Sequence, residues 1–441
     1  VRVVQNNLFQ FLIQLVNTMK DNKALKNEID DTTNGSVYIP IRNSMKGKIV
    51  LITGGSSGLG LESAKRLTYY AGATVIITAR TQEKCNQAVQ EVKEYCRERY
   101  ERDCERNEPL SNNNSKEDRK TKTKENNDVY GLPLDFDDFV NSVRTFSMRY
   151  LVMMMNIEIE DNDSIKIDVL MNNAGAGFKS KKLTMDGYER TFQSCHLGHF
   201  LLTACLKKEN LLNDDSKDTN NISNRSKKAT GSTTTTDDND SSSSPMVSCL
   251  VINVSSLAHQ TARLVNQDKD DDDAVQFGLD FNNLNSELEF SSGDAYGQNK
   301  LANVLFTKEI QRRASSSPSK SWLKAVSLEP GVVVTDIWRD TEFGYDPRTN
   351  NKKNDTILTT VIGKLISNVF YRCLTPVERG ANVQIWLACE GLSTSSSSTV
   401  SSDNNNNNEE VTKTVIEGGQ HYDEFLQKKS MPNFATNVDD A

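Results

Sequence analysis

The chain is poor in histidine, in long apolar runs and in positive charge, and each shortage narrows what it can be. Only four histidines occur in 441 residues. The eight cysteines, at positions 85, 96, 104, 195, 205, 249, 373 and 389, form no Cys-x-x-Cys pair. A zinc ligand set is therefore not expected, and the sequence assigns no metal site. The scattered thiols read as reduced, which argues against a disulfide framework and for a reducing compartment. No stretch of eighteen apolar residues exists, so no segment spans a bilayer unaided. Lys and Arg total 52 against 60 Asp and Glu, a net charge of −8. That balance argues against a general nucleic-acid binder, because phosphate neutralisation needs a basic face.

Apolar residues make up 36% of the chain, too few for the whole length to belong to a compact core. The deficit is concentrated in inserts near 103–128, 213–245, 267–273 and 393–408, with a shorter one at 315–319. Such segments bury too little apolar surface to offset the cost of ordering them, and they read as solvated loops. Setting them aside leaves on the order of 300 residues, the size of one domain. That domain is expected over 46–430, between an N-terminal arm (1–45) and a tail (431–441). In the arm, Val1, Val4, Leu8, Phe11, Leu12, Leu15, Val16 and Met19 follow helical spacing. The segment is either a helix packed on the domain, an interfacial anchor or the remnant of a removed targeting segment. Peripheral membrane contact through it, and a homodimer, both stay open. A chain opening on Val1 is expected to be a fragment or a processed form.

The rest alternates in type. Apolar, β-branched runs at 48–53, 74–78, 129–134, 167–171, 249–254 and 323–328 read as strands. Helical stretches at 61–70, 82–102, 139–148, 186–205 and 295–312 fall between or after them. This alternation predicts an α/β domain, a parallel sheet covered by helices on both faces. Ligands in such sheets sit outside the carboxyl ends of the strands, where the motifs that follow all fall.

The first strand runs into Thr53-Gly54-Gly55-Ser56-Ser57-Gly58-Leu59-Gly60 and then a helix. Gly54, Gly58 and Gly60 let the backbone turn tightly, and a pyrophosphate can then approach the free N–H groups of the helix. The second strand ends at Ala79-Arg80, with no acid before Glu83. An acid there would bond a ribose 2′-hydroxyl, whereas a basic residue pairs with a 2′-phosphate, so Arg80 favours NADP(H). Asp135, after the third strand, is suited to accept from an adenine amino group. Of the tyrosines, only Tyr296 has a lysine four residues on, Lys300, which a helix puts on the same face. A phenol is a poor acid–base group at neutral pH, and a neighbouring ammonium, joined by the positive nicotinamide ring of an oxidised cofactor, is expected to lower its pKa. Ser256, at the end of the fifth strand, offers a hydroxyl to hold a substrate oxygen, with Ser255 as the fallback.

These residues resemble the short-chain dehydrogenase/reductase family. The resemblance runs through the 53–60 turn, Asn172-Asn173-Ala174-Gly175, Asn253-Val254-Ser255-Ser256, Tyr296-Gly297-Gln298-Asn299-Lys300 and Pro330-Gly331. It spans about residues 46–425. His196-Leu197-Gly198-His199-Phe200 and the stretch from Ala295 to Asn303 look like the retinol dehydrogenase and WW-domain oxidoreductase branch. The resemblance implies a Rossmann-type doubly wound fold and nucleotide binding through Gly54, Ser56, Ser57, Gly58, Leu59, Gly60, Arg80, Asp135, Asn173, Ala174, Gly175, Pro330, Gly331 and Val333. It further implies that Thr335 helps seat a nicotinamide, and that Gly418-Gly419-Gln420 marks the last strand. Tyr296 would be the acid–base group, Lys300 its activator and Ser256 the substrate orienter. The expected activity is NADP(H)-dependent oxidation or reduction of a lipophilic alcohol or carbonyl compound. One position departs from the pattern: Cys195 stands where the branch usually carries an asparagine that shapes the helix and supports a proton-relay water. A thiol forms weak hydrogen bonds and is not expected to reproduce the amide's contacts. A weakly active NADP-binding scaffold or redox sensor is therefore the alternative.

Overall fold

The apolar runs become strands buried on both faces, as a parallel sheet requires. In the computed structural model the described residues are 37–107, 128–156, 165–214, 247–264, 276–316, 322–333, 375–392 and 416–432. Among them β1 (Ile49–Ile52), β2 (Thr74–Ala79), β3 (Val129–Pro133), β4 (Val169–Asn172), β5 (Cys249–Val254), β6 (Leu323–Leu328), β7 (His421–Tyr422) and β8 (Lys428–Lys429) form one sheet. The spatial order is β3-β2-β1-β4-β5-β6-β7-β8. Every pairing is parallel except β7 with β8. The chain winds outward from β1 to β3, then returns to lay β4 on the other side of β1. That is the doubly wound Rossmann-type arrangement, with its crevice at the carboxyl ends of β1 and β4.

Alternation along each strand sends side chains into two layers. Val50, Ile52, Val75, Ile77, Val169, Met171, Leu250 and Ile252 pack with Leu67, Val92 and Leu387. These last come from α1 (Gly58–Tyr69), α2 (Gln82–Asn107) and α7 (Asn382–Glu390), the last preceded by the single turn α6 (Val377–Gly380). Ile49, Leu51, Ile76, Leu170 and Val251 face the other way, onto Phe146, Leu206 and Ala314. Those belong to α3 (Arg144–Met155), α4 (Gly198–Lys208) and α5 (Ser292–Ser315). Helices α3 and α4 are each entered through a π-helical turn, Phe139–Val143 and Gln193–Leu197.

Two boundaries differ from the sequence reading. α2 continues to Asn107, through residues placed in a polar insert. Its Asp103 accepts a 2.7 Å hydrogen bond from the Tyr69 hydroxyl and pairs with Arg42, contacts that hold the extra turn. Residues 37–45, assigned to the arm, pack on the domain. Met45 is buried in the core, and the Tyr38 amide donates to Asn382 Oδ1. Buried Arg66 fastens this strap: its guanidinium donates to the Tyr38 carbonyl, Asn382 Oδ1 and the Glu378 carbonyl, and pairs with Glu62 at 3.0 Å. The expected N-terminal helix lies outside the described residues. No helix among those described is long and apolar enough to cross a membrane, and the described cysteines are free.

Candidate active site

The glycine turn sits where β1 meets α1. Gly54 and Gly58 adopt φ of 62° and 53°, a region that excludes most side chains. Gly60 has no room for a Cβ, which would fall 2.6 Å from Asn173 Nδ2 and 2.8 Å from the Gly54 carbonyl. Ser57, at the N-cap of α1, makes no side-chain cap bond. The N–H groups of the first helical turn, beside Ser56 and Leu59, thus keep their partial positive charge for an anion. Arg80 stands exposed one residue past β2. Asp135 is half-buried after β3, and its Oδ1 accepts from the Asp137 amide, so one carboxylate oxygen already closes a local turn.

Asn173, Ala174 and Gly175 follow β4 and are locked to the first strand. The Asn173 side-chain amide donates to the Thr53 carbonyl at 2.8 Å. Asn173 and Ala174 both donate backbone N–H bonds to Thr53 Oγ1, at 2.9 and 3.0 Å. That hydroxyl also lies 2.9 Å from His199 Nε2. His199 Nδ1 stands 3.1 Å from the Cys195 carbonyl, which can only accept. The ring proton is therefore on Nδ1, and Nε2 takes the hydroxyl proton of Thr53. Burial pushes His199 down to about 3, keeping it neutral in this role.

Cys195 lies in the π-helical turn before α4, fully buried. Its thiol is tied to one residue: Sγ accepts from the Ala176 amide and donates to the Ala176 carbonyl, both at 3.2 Å. The Cys195 carbonyl accepts from His199 Nδ1 and from Asn303 Nδ2 at 3.1 Å. Asn303 also receives His196 Nδ1 at 2.9 Å. His199 and Asn303 hold the framework together, and sequence reasoning gave neither a task. Both stand inside motifs that carry the resemblance, and both are buried polar residues, the only signal they left.

Tyr296 and Lys300 are on α5, one turn apart and on one face. Lys300 is buried, its Nζ donating to the Val254 carbonyl at 3.0 Å and standing 5.5 Å from the centre of the Tyr296 ring. Ser256, the second residue beyond β5, hydrogen-bonds the Tyr296 phenol while its Oγ accepts from the Ala258 amide. Ser255 turns away and donates to the Lys300 carbonyl at 2.8 Å, so the fallback serves structure. In the chain by itself burial pushes the Tyr296 phenol up, with the Cys195 sulfur adding to the rise and the Ser256 bond opposing it. Burial likewise pushes the Lys300 ammonium down. Desolvation is the leading cause of both shifts.

Pro330 and Gly331 follow β6, Gly331 at φ 75°. Buried Val333 bridges to Thr375 and leaves no space for a Cβ on Gly380, which would fall 2.5 Å from it. Thr335 lies outside the described residues.

Residues 48–104 match a family profile described as short chain dehydrogenase. Among curated proteins the chain is 29% identical over 303 residues to human retinol dehydrogenase 13, covering 68% of this chain and 64% of that one. It is 28% identical over 299 residues to human retinol dehydrogenase 11, covering 68% and 65%. It is also 28% identical over 305 residues to human polyprenol dehydrogenase, covering 69% and 66%. The matched stretch thus spans just under two thirds of these relatives' length. With the doubly wound sheet, the glycine turn and the profile match in agreement, the chain is similar to the short-chain dehydrogenase/reductase family, and the curated proteins it matches include members of the retinol dehydrogenase branch.

Proposed function

We propose that the chain is an NADP(H)-dependent oxidoreductase that interconverts an alcohol and a carbonyl on a lipophilic small molecule. The observation that carries this reading is the meeting of Ser256, Tyr296 and Lys300 at the carboxyl end of the sheet, beside the glycine turn. The residues fit a nicotinamide dinucleotide. The uncapped first turn of α1 suits a pyrophosphate, and exposed Arg80 suits a 2′-phosphate. Asn173, Ala174, Gly175, Pro330, Gly331 and Val333 would complete the cradle, with Asp135 toward the adenine.

When bound, such a dinucleotide supplies or accepts the hydride. In the reducing direction the Tyr296 hydroxyl gives its proton to the carbonyl oxygen, while the Ser256 hydroxyl donates to that oxygen and fixes its position. A phenol raised by burial begins this step protonated. The Lys300 ammonium, held against the Val254 carbonyl, keeps positive charge near the ring on which the phenolate forms. In the oxidising direction Tyr296 takes the proton back. Relatives named for retinol and polyprenol support a lipophilic substrate. Cys195 counts for turnover more than against it, because its thiol retains two backbone contacts.

The test is NADPH consumption with a panel of lipophilic aldehydes and ketones, with NADPH binding measured in parallel. Tyr296→Phe should remove turnover and leave NADPH affinity unchanged. Turnover that survives the substitution, or a large loss of cofactor affinity, would overturn the assigned role.

A further inference from the structure

Two of the four histidines meet beside the site without entering the chemistry above. His259 lies in the 3-10 turn Leu257–Thr261 after β5, Glu329 follows β6 and His421 opens β7. All three are at most 1% exposed. One ligand atom from each can be chosen so that all lie within 4.8 Å of one another. Sequence spacing hides this set, since its members come from three separate crossovers.

Hydrogen bonds already engage one nitrogen of each ring. His259 Nδ1 stands 2.7 Å from the Ser256 carbonyl, which only accepts. Its proton is therefore on Nδ1, and Nε2 carries a lone pair. His421 Nδ1 shares a 2.9 Å bond with the Ser327 hydroxyl. His259 Nε2, His421 Nε2 and Glu329 Oε2 are buried and have no hydrogen-bond partner among the described residues. Oε2 stands 3.5 Å from His421 Nε2 and 3.9 Å from His259 Nδ1, and the other carboxylate oxygen pairs with Lys429. Two buried imidazoles gathered around a buried carboxylate are costly to desolvate unless a proton or a metal cation joins them.

We propose that His259, His421 and Glu329 bind one divalent transition-metal ion, zinc in type, through one ring nitrogen of each histidine and Glu329 Oε2. Two imidazoles and one carboxylate suit zinc better than magnesium or calcium, and a water can take the fourth position. Bonds of about 2.0–2.2 Å need the three atoms closer than they stand, which small side-chain rotations supply. Lys429 is partly exposed and can swing away, and the Glu424 carboxyl, raised by burial, lies within reach of the Glu329 charge. The second-shell bonds are in place: each imidazole has its Nδ1 engaged, the arrangement that orients a metal-binding histidine. The ion would pin the turn after Ser256 to the ends of β6 and β7. His259 holds the Ser256 carbonyl by its own amide as well as its ring. The proposal does not depend on the reaction assigned to Tyr296.

The test is zinc content and Zn2+ affinity of the full chain, purified without chelator or histidine tag. One zinc per chain is expected, with His421→Gln and Glu329→Gln each lowering affinity by at least about 100-fold, the upper end of what losing even a supporting residue costs. Failure to bind Zn2+, or variants that bind as tightly as the parent, would overturn the site and leave a shared proton as the cation. If the variants do not fold, Co2+ bound to the parent decides. A d–d spectrum without a thiolate charge-transfer band supports the nitrogen–oxygen set, and a thiolate band moves the ion to a cysteine and overturns it.

Discussion

Thr53→Val tests how much the site framework rests on one hydroxyl. Thr53 is wholly buried, and its Oγ1 serves Asn173 N, Ala174 N and His199 Nε2 at 2.9–3.0 Å. Valine keeps the shape and removes these bonds. The Asn173 amide retains a 3.0 Å bond to the Met171 carbonyl, so the newly unpaired groups are the Ala174 amide and the His199 ring nitrogen. At about 1–3 kcal/mol for each buried unsatisfied group, the expected loss is about 3 kcal/mol. Thr53→Ser keeps the hydroxyl and gives up one methyl, at a cost of about 1 kcal/mol. Urea unfolding of the parent and both variants, with m-values compared, reads the difference. A valine variant no less stable than the serine variant would refute the reasoning, because the hydroxyl would then not be what ties β1 to the turn after β4.

Three further outcomes follow from the same geometry. Arg80→Asp should exchange the NADPH preference for NADH, and NADPH affinity unmoved by the change would contradict the reading of the β2 end. The His199 pKa is depressed to about 3 by burial. As pH falls below about 6.5, the unfolded chain gains a proton at this histidine that the folded chain refuses, so stability falls. Between pH 6.5 and 4.5 this amounts to about 2–3 kcal/mol, and His199→Gln should flatten a plot of unfolding free energy against pH by that amount. Arg66→Leu should cost about 3–5 kcal/mol in chemical denaturation, because it strands Glu62 beside α1 and releases the 37–45 strap. A loss below about 1 kcal/mol would show that the strap is fastened elsewhere.

The parts of the molecule legible in the sequence are those that obey local rules. β5 and β6 match their expected ranges, 249–254 and 323–328, because runs buried on both faces announce themselves. The glycine turn and the pairing of Tyr296 with Lys300 are matters of spacing, and spacing survives into the fold. The π-helical turn at Gln193–Leu197 was not readable as such: it depends on the bonds between the Cys195 thiol and Ala176, nineteen positions away. The surroundings of Tyr296 were only partly legible for a similar reason. Sequence supplies the neighbouring ammonium but not the depth of burial, which raises the phenol. The end of α2 was obscured by composition, since a charged helix and a solvated loop use the same residues.

The winding order has a consequence for how this chain can grow. Joints from α2 to β3, α3 to β4, α4 to β5, α5 to β6 and α7 to β7 all attach at the amino ends of the strands. Ser256, Pro330 and the glycine turn open from the carboxyl ends. The described ends that flank 108–127, 215–246 and 393–415 therefore lie at the pole of the molecule that faces away from Tyr296. A label or tag spliced into 215–246 would join the domain at that far pole. At the reactive pole the long joints are those after β4, β5 and β6, over 173–189, 255–291 and 329–376, and change in substrate preference has those places to reside.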